Sequence, residues 1–514
     1  MRGFWAQLLG IVLPGTLLAA CSGLPPLADR TESRALHDTE DTPLGQAIAP
    51  LARAHPGRSG VVALADAQGA FAARMLLAAA AQRTLDVQYY IWRSDLSGTL
   101  LLAALHRAAE RGVRVRLLLD DNNTAGLDPL LAALNLHPNI EVRLFNPFVH
   151  RRLRWLGYFG DFARLNRRMH NKSFTADNQA SIVGGRNVGD EYFGTGDAPL
   201  FVDLDMLAVG PVVRDVSSDF DRYWASASAY PVDRLLPAAA DADLAHLVER
   251  AARIEDEPAA ADYRRALARS DFVRRMLAGE LAYEWVPVRM VSDDPAKGLG
   301  HAAPEVLIGQ RLKEVLGTAA REVQLVSPYF VPTAAGVEAL AALARQGVKV
   351  TVLTNSLAAN DVAVVHAGYA KRRKALLEAG VALYEMMPRS EAHPGVAGRL
   401  GAGSSAASLH AKTFGVDRVR VFVGSFNFDP RSARLNTEMG FVIESQTLAQ
   451  GLADTMADAM PQRAYEVRLG AGGALQWLER QGDSVVIHDT DPHTSAGLRL
   501  AVWFLSLLPI EWML

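Results

Sequence analysis

One arrangement of polar residues occurs twice in the chain and constrains its fold more than any other feature. The first copy reads MHNKSFTADNQASIVGGRNVGDEYF (169–193), and the second reads LHAKTFGVDRVRVFVGSFNFDPRSARLNTEMG (409–440). Each copy has a histidine, a lysine two residues later, an aspartate five residues after the lysine, and then an asparagine in a glycine-containing cluster. The repeat predicts a duplicated unit of domain size, in which each copy contributes half of one site.

The sequence before each copy also repeats, as an alternation of strand and helix patterns. An apolar strand pattern precedes a segment with helical spacing, and two further strand patterns follow before the histidine. The paired segments are 84–92 and 322–332, 96–112 and 334–347, 113–122 and 348–357, and 140–147 and 381–388. This order predicts an α/β fold class, with two homologous α/β/α sandwich domains packed around one shared active site.

The same repeat divides the chain into segments. We expect a signal or lipoprotein-like segment at 1–21, a linker at 22–58, a first domain at 59–235, a helical connecting segment at 236–300, a second domain at 301–465 and a C-terminal extension at 466–514. The linker is expected because its residues are polar and include prolines, and the connecting segment is rich in Ala, Arg and Glu.

Composition excludes several classes of protein. A chain of 514 residues, 50% hydrophobic and 21% charged, is long enough and apolar enough to bury a large core. A net charge of −3 offers no basic excess for neutralising nucleic-acid phosphates, so no nucleic-acid partner is expected. The one cysteine, Cys21, excludes an internal disulfide framework and a cysteine-based metal site.

The N-terminal segment predicts a membrane destination. Arg2 is followed by an apolar run and by small residues before Cys21, which is the general shape of a secretory signal. This segment resembles the lipobox of bacterial lipoproteins, whose cysteine becomes the lipidated N-terminus; the alternative is an uncleaved anchor in which Cys21 has no role. Both interpretations predict a membrane-associated protein of the bacterial cell envelope, with the inner membrane as the expected location. Because one acyl chain anchors weakly, a second membrane contact is expected.

Two other segments are candidates for that second contact. The C-terminal stretch 498–514 is almost continuously apolar, and its aromatic residues favour a membrane interface; the alternative is a terminal helix docked on the protein's own core. Segment 151–170 mixes arginines with aromatic residues, which favours an anionic bilayer beside the site over a solvated basic face. The basic run 371–374 is expected to be a solvated helix face, with lipid binding as the alternative.

The repeated motif has the composition of a phosphate-transfer site. Residues two apart on a strand share a face, so His170 lies beside Lys172 and His410 beside Lys412. Lysine ammonium groups, together with the amides of Asn187 and Asn427, donate to phosphate oxygens, although turn chemistry beside glycine is the alternative for the asparagines. One histidine attacks phosphorus and the other protonates the leaving oxygen, with no metal or cofactor required.

A nucleophilic imidazole needs an acceptor on its second nitrogen. Glu438 is suitable in the second half, and Asp203 and Asp205 occupy the same place after the motif in the first half. Spacing does not decide which carboxylate serves which histidine. Asp177 and Asp417 are close to a turn, where aspartate commonly caps backbone groups, so their positions favour a structural role.

The doubled motif resembles the paired HKD signature of the phospholipase D superfamily. Within it the chain is similar to the C-type branch of bacterial cardiolipin synthases, over most of residues 80–470 and the final LPIEWML. The stretches that carry this likeness include LDVQYYIW, GVRVRLLLDDNN, NRRMHNKSF, GGRNVGDEYFG, TNSLAANDVAVVHAGYAKRR and GSFNFDPRS. The residues carried over as the catalytic signature are His170, Lys172, Asp177, His410, Lys412 and Asp417, with Ser425 as the hydroxyl residue before the second asparagine. The first copy departs from the pattern, since Gly185 and Arg186 stand where the usual serine and its neighbour would be.

The resemblance implies a phosphatidyl-histidine intermediate, with His170 as nucleophile and His410 as acid and then base. It implies transfer from phosphatidylethanolamine to phosphatidylglycerol, which yields cardiolipin and ethanolamine; a second phosphatidylglycerol as donor, and an accessory protein, are left open. The alternatives are a phospholipase D that hydrolyses phospholipids to phosphatidic acid and a non-catalytic envelope lipoprotein with the same fold. A phosphodiesterase acting on DNA is disfavoured by the acidic balance.

Overall fold

The computed structural model describes residues 23–194, 200–388 and 408–514. The predicted signal segment, with Cys21, lies outside the described residues. Within the described ranges, no helix combines the length and apolar character that crossing a bilayer needs.

The first half is built on a nine-stranded mixed sheet. Its strands are β1 (Ser59–Leu64), β2 (Thr84–Ile91), β3 (Arg114–Asn123), β4 (Ile140–Phe145), β5 (Ser173–Ala176), β6 (Ala180–Gly184), β8 (Asp205–Val209), β9 (Ala229–Pro231) and β10 (Glu284–Val286), with β7 (Phe201–Val202) outside the sheet. The helices are α1 (Pro43–Ala54), α2 (Ala67–Ala80), α3 (Leu96–Glu110), α4 (Asp128–Leu134), α5 (Gly157–Leu165), α6 (Asp190–Phe193), α7 (Pro211–Trp224), α8 (Asp241–Asp256), α9 (Ala261–Arg269) and α10 (Phe272–Leu277). The strand order is β10-β1-β8-β6-β5-β2-β3-β4-β9.

The second half repeats this plan in a ten-stranded sheet. Its strands are β11 (Val288–Ser292), β12 (Glu322–Val326), β13 (Lys349–Asn355), β14 (Ala382–Met386), β16 (Lys412–Val416), β17 (Arg420–Gly424), β18 (Met439–Glu444), β19 (Ala464–Leu469), β20 (Leu475–Gln481) and β21 (Ser484–His488), with β15 (Ser408–Leu409) outside the sheet. The helices are α11 (Ile308–Leu316), α12 (Thr333–Arg345), α13 (Ala363–Ala370), α14 (Arg373–Glu378), α15 (Pro430–Arg434), α16 (Gln446–Asp454) and α17 (Ala496–Ser506). The order is β11-β18-β17-β16-β12-β13-β14-β19-β20-β21.

Corresponding strands of the two sheets have the same register. β2 pairs in parallel with β3 and antiparallel with β5, and β12 pairs in the same way with β13 and β16. The burial of corresponding strands is also alike, since β3 and β13 both have apolar middle residues that are buried. The predicted α/β fold with two homologous domains is confirmed.

Local sequence explains where the elements start and stop. Asp95 caps helix α3 by accepting a hydrogen bond from the backbone N–H of Gly98, 3.0 Å away. The helix ends just before Gly112, whose φ of 91° lies in the left-handed region that favours glycine. The turn at Gly112 thus ends α3 directly before the buried strand β3 begins.

The two halves share an apolar interface. Val183 and Met206 of the first sheet pack in one buried cluster with Val423, Phe441 and Ile443 of the second sheet. A further link is the parallel pairing of β7 with β15, which crosses from one half to the other. Because both contacts involve strands that follow or precede the repeated motif, they bring the two motifs together.

The segment expected to be a linker, 22–58, differs from that expectation. Residues 43–54 form helix α1, and Leu44 and Ile48 are buried against the first domain. Upstream, the backbone N–H of Ala35 donates to the carboxylate of Asp221 in α7. Polar composition predicted the linker wrongly because few apolar residues suffice when they lie on one helix face.

The connecting segment and the C-terminal extension also differ from their expected forms. Helices α8 to α10 of the connecting segment pack on the first domain, and the chain crosses between the halves as two strands, β10 and β11, one in each sheet. The extension contributes β20 and β21 to the second sheet. Both segments are therefore parts of the two domains.

Candidate active site

The two histidines and two lysines lie at corresponding strand starts. Lys172 directly precedes β5, and Lys412 is the first residue of β16. Each lysine ammonium donates to the carbonyl of the histidine two residues before it; the distance from Lys172 Nζ to the His170 carbonyl oxygen is 2.6 Å, and Lys412 bonds to His410 in the same way. In both halves the lysine ammonium therefore lies next to the backbone of its own histidine.

Each histidine is hydrogen-bonded to a carboxylate of the opposite half. His170 Nδ1 lies 2.7 Å from Glu438 Oε2, and His410 Nδ1 lies 2.5 Å from Asp203 Oδ2. The sequence did not decide which carboxylate serves which histidine. In the structure each histidine is paired with the carboxylate of the other half. Neither half therefore contains a complete histidine–carboxylate pair.

The crossing follows from backbone contacts between the halves. The His170 N–H donates to the Thr437 carbonyl at 2.8 Å, immediately before Glu438. The His410 N–H donates to the Val202 carbonyl, also at 2.8 Å, immediately before Asp203. Each histidine backbone is hydrogen-bonded to the residue that precedes the other half's carboxylate. This bond positions the imidazole beside that carboxylate.

The residue before each histidine is held by its own half. Asp120, in β3, accepts from the Met169 N–H at 2.7 Å and also pairs with Arg168. At the corresponding end of β13, Asn355 accepts from the Leu409 N–H at 3.0 Å. The ends of β3 and β13 thus hold the backbone of the residue that precedes each histidine.

The imidazole of His170 is in an environment that keeps it neutral. Burial lowers the pKa of His170 well below its ordinary value, and the Lys172 and Lys412 ammonium groups lower it further. Burial in turn raises the pKa of its partner Glu438 to about 7. With Nδ1–H donating to Glu438, Nε2 carries the lone pair of the neutral imidazole, as a nucleophile requires.

The second imidazole has a different partner. Burial and Lys412 lower the pKa of His410 to about 4. Burial opposes ionisation of Asp203, but the His410 imidazole and then Lys412 lower its pKa to about 2, so this carboxylate is ionised at neutral pH. A permanently charged carboxylate stabilises a positive imidazolium once an anionic substrate has arrived.

The lysines are placed to receive an anion. Burial lowers the pKa of Lys412 to about 8, although Asp203 and Glu438 oppose this shift. Burial also lowers the pKa of Lys172 well below its ordinary value. Since both ammonium groups lower the pKa of both imidazoles, the four side chains form one cluster, and a phosphate entering it would favour the charged form of the lysines.

The departure Gly185–Arg186 has a structural cause. In the second half Ser425 Oγ donates to Glu438 Oε2 at 2.5 Å. In the first half a Cβ at position 185 would overlap Asp203 Oδ1, so the space of the missing hydroxyl is filled by the shorter carboxylate. The predicted inequality of the two half-sites is thus a difference in how each carboxylate is held.

Asn187 and Asn427 differ in what they bind. Asn187 is fully engaged, because its amide donates to the Tyr192 hydroxyl at 3.0 Å and its oxygen accepts from the Ile91 N–H at 3.2 Å. For Asn427 Oδ1, which is buried, no hydrogen-bond partner exists among the described residues. Turn-like structural bonding therefore describes Asn187, whereas Asn427 keeps unused hydrogen-bonding capacity.

The remaining predicted carboxylates do not reach the histidines. Asp205 pairs with Arg74 at 2.8 Å and with Arg186 at 3.3 Å. Asp177 accepts from backbone N–H groups of residues 82–84, and Asp417 from those of residues 320–322, at the opposite ends of β5 and β16 from the lysines. These aspartates anchor the chain where β2 and β12 begin, which agrees with the structural role that their position near a turn favours.

Sequence reasoning missed several aromatic contacts. The Tyr90 ring centroid lies 4.8 Å from that of His170, and Tyr192 and Phe201 lie 5.2 and 5.3 Å from His410. The sequence indicated these contacts only through the places of two residues: Tyr90 lies near the end of an aromatic strand, and Tyr192 lies near the end of the first motif copy. Strand patterns assign such rings to a core without telling which of them meets an imidazole.

The arginine-rich segment 151–170 is different from the predicted basic surface. Four of its six arginines bind acidic side chains of the first domain or of the segment itself: Arg151 and Arg154 with Asp121 and Asp128, Arg164 with Asp161, and Arg168 with Asp120. Arg152 is exposed, and Arg167 donates to the Ala163 carbonyl. The exposed part is aromatic, with Phe159 83% and Trp155 57% exposed. Most of the arginines are therefore paired, which argues against a solvated basic face, and the exposed surface of segment 151–170 is largely apolar.

The basic run 371–374 is also more engaged than expected. Arg373 is buried and pairs with Glu385 and Asp491. Lys371 and Arg372 pair with Glu511 of the C-terminal stretch. Instead of forming a solvated face, most of the run holds the C-terminus against the second domain.

Comparison with known proteins agrees with this geometry. A family model described as "Cardiolipin synthase, PLD-like domain" matches residues 76–224 and 312–460. The chain is 51% identical to cardiolipin synthase C of Escherichia coli, over 92% of this chain and 99% of that protein. It is 31% identical to an uncharacterized protein of Helicobacter pylori, over 95% of this chain and 96% of that one.

Among solved structures, a phosphatidylserine synthase of Haemophilus influenzae has a similar fold. The TM-score is 0.53 at 15% sequence identity, and the match covers 81% of this chain and 91% of that one. The family model thus covers both halves of the site described above, and the high identity spans almost the whole chain. The chain therefore belongs to the cardiolipin synthase family of the phospholipase D superfamily, a family of phosphatidyltransferases.

Proposed function

We propose that this chain makes cardiolipin by moving a phosphatidyl group from phosphatidylethanolamine to phosphatidylglycerol through His170. The observation that carries the proposal is the crossed pairing, in which each imidazole is oriented by a carboxylate of the other half. Two oriented imidazoles with two lysines suit in-line displacement at one phosphorus atom.

In the first step His170 Nε2 attacks phosphorus, and the bond from phosphorus to the ethanolamine oxygen breaks. His410, protonated when the lipid phosphate is bound, gives its Nε2 proton to that oxygen, and ethanolamine leaves. The two lysines stabilise the charge that develops on the non-bridging oxygens. The neutral environment of His170 and the ionised Asp203 beside His410 support this division of roles.

In the second step the primary hydroxyl of phosphatidylglycerol gives its proton to His410. The alkoxide oxygen attacks phosphorus, the phosphorus–nitrogen bond breaks, and the Nε2 lone pair of His170 is restored. Water in place of the glycerol hydroxyl would yield phosphatidic acid, which is the phospholipase D alternative.

We further propose that one side of the protein contacts the membrane. The exposed apolar residues of the C-terminal stretch are Leu500, Trp503, Phe504, Leu507 and Trp512. Arg431, beside the second motif, donates to Asn166 Oδ1 at the end of α5 and to the Met513 carbonyl. Arg431 thus links segment 151–170 to the C-terminal stretch. This link supports the proposal that both aromatic segments lie on one lipid-facing side of the protein, next to the site. Lipidation of Cys21 and an inner-membrane location remain part of this proposal.

The test uses the purified full-length protein in liposomes of phosphatidylglycerol with or without headgroup-labelled phosphatidylethanolamine. We expect cardiolipin and free ethanolamine in equal amounts, and neither product with His170→Ala. Phosphatidic acid without cardiolipin would reject transfer in favour of hydrolysis, and full activity of His170→Ala would reject the mechanism.

A further inference from the structure

A tyrosine–aspartate pair lies in the second half and has no role in the mechanism above. The Tyr329 hydroxyl donates to both carboxylate oxygens of Asp361, at 3.0 and 2.9 Å. Asp361 is exposed, and within the described ranges it forms no ion pair. A solvent-accessible carboxylate is therefore oriented by one neutral hydroxyl.

The chain path places this pair beside the second motif. Val326, the last residue of β12, pairs with Thr413, so Ser327 lies opposite Lys412. Ser327 Oγ donates to the Tyr329 carbonyl at 2.7 Å and accepts from the Phe428 N–H at 3.0 Å. Tyr329 is thus held between the lysine strand and the residue that follows Asn427.

Electrostatic coupling agrees with this placement. Burial raises the pKa of Tyr329 well above its ordinary value, and Asp361, Tyr192 and Tyr90 raise it further. Tyr90 and Tyr192 are the rings that contact the two catalytic imidazoles. Asp361 in turn opposes the lowering of the Lys412 pKa. The pair therefore lies within reach of the phosphate-binding cluster.

The first half has no equivalent of this pair. Gln88 pairs with Ser173 as Val326 pairs with Thr413, which makes Ile91 the counterpart of Tyr329. An apolar side chain cannot orient a carboxylate. Because Ser327 lies opposite Lys412 and Asp361 opposes the lowering of the Lys412 pKa, the pair lies on the side of the second motif, whose His410 protonates the leaving headgroup in the proposed mechanism.

The chemistry of the pair indicates its ligand. Two lysines attract the lipid phosphate, whereas an unpaired carboxylate next to them repels it unless the same lipid also carries a positive charge. A carboxylate beside tyrosine rings binds an ammonium group through charge and through the ring faces. We propose that Asp361, oriented by Tyr329, forms a subsite for the primary ammonium of the donor headgroup and selects an aminophospholipid as donor. This inference rests on the proposed function.

The test compares donors in the full-length protein. Headgroup release is measured from phosphatidylethanolamine mixed with phosphatidylglycerol and from phosphatidylglycerol alone. In Asp361→Asn the side chain keeps its size and one oxygen that can accept from the Tyr329 hydroxyl, and it loses its charge. We expect kcat/KM for ethanolamine release to fall about tenfold, the effect of one ion pair partly removed from water, while glycerol release changes less than about twofold.

Asp454→Asn is the matched control, since it removes an exposed carboxylate on α16, at the far end of β16 from Lys412, and both rates should stay at the wild-type value. The unmodified protein supplies a second measurement: N-acetylated phosphatidylethanolamine, which has lost its charge, should be used about tenfold less well than phosphatidylethanolamine.

Equal losses with both donors in Asp361→Asn, or no loss with either, would overturn the subsite and leave phosphatidyl transfer intact. The subsite is also rejected if the charged and acetylated donors react equally, or if the selective loss falls on phosphatidylglycerol, whose hydroxyls would then be the ligand. If headgroups are released without cardiolipin, the proposed transfer fails, yet the ratio of the two donors still decides whether the subsite exists.

Discussion

The two half-sites share one backbone frame and differ in how they hold their carboxylates. Asp203 and Glu438 occupy equivalent positions, because Gly184 pairs with Asp205 as Gly424 pairs with Gly440. Yet the pKa of Asp203 is lowered to about 2, whereas that of Glu438 is raised to about 7. The two halves thus have the same backbone geometry, but their carboxylates, Asp203 and Glu438, ionise at different pH values.

The neighbours of each carboxylate explain the difference. The His410 imidazole lowers the pKa of Asp203 most, followed by Lys412 and then by Arg186, whose guanidinium also donates to the Asp203 carbonyl at 2.7 Å. The corresponding residue of the second half is the apolar Phe426, and Glu438 has Ser425 as its close hydroxyl donor. These unequal surroundings, to which the dipeptide Gly185–Arg186 contributes, support an acid–base role for His410 and a nucleophilic role for His170.

The largest effect should come from removing each histidine in turn. With a phosphatidyl donor that carries a p-nitrophenyl leaving group, no acid is needed. His170→Ala should then lose about 10⁴-fold in the burst of nitrophenol, since the nucleophile is gone, while His410→Ala should stay within about tenfold of wild type. His301→Ala, an exposed histidine, is the control. Equal bursts from the two site variants would break the comparison.

A smaller effect should follow from changing each carboxylate to its amide. In the proposed mechanism activity requires ionised Glu438 and charged Lys412, so kcat/KM should rise with pH through about 7 and fall above about 8. Glu438→Gln should reduce kcat about 100-fold and remove the rising limb, because nothing titrates there any longer. Asp203→Asn should also reduce kcat but keep the limb, since Asp203 is ionised throughout this range. A pH profile that changes in the same way for both variants would contradict the assignment.

Gly185→Ser tests why the halves are unequal. The added Cβ overlaps Asp203 Oδ1, so we expect the free energy of unfolding to fall by about 1–3 kcal/mol, as for other overpacked sites. Denaturant unfolding measures this change. Gly451→Ser is matched to it, because a Cβ at that position meets no neighbouring atom within 4 Å. Equal stability of the two variants would show that Asp203 can move aside.

The smallest effect is expected from Ser425→Ala. Loss of one hydrogen bond to ionised Glu438 should reduce kcat/KM about fivefold and move the rising limb of the pH profile upward. Ser484→Ala, at the exposed start of β21, should change neither quantity. An unchanged limb in Ser425→Ala would mean that this hydroxyl does not help Glu438 to ionise.

Much of the fold was predictable, because buried strands and amphipathic helices leave local patterns. The strand predicted at 84–92 is β2, and the one at 348–357 contains β13. The errors lie where the partners of a segment are distant in sequence. Most arginines of segment 151–170 could not be recognised as paired, because partners such as Asp121 come from strand β3, about 30 residues earlier in the chain.

The sequence by itself determined the paired histidines and lysines of the site. The duplicated motif spaces histidine and lysine two residues apart, and in an extended backbone side chains two residues apart point to the same face. Only the tertiary structure decided that Glu438 serves His170 and Asp203 serves His410, because those bonds depend on pairings between the halves. It also decided the ionisation of each group. A pKa responds to burial and to charges brought near by folding, and neither is written in the spacing of residues along the chain.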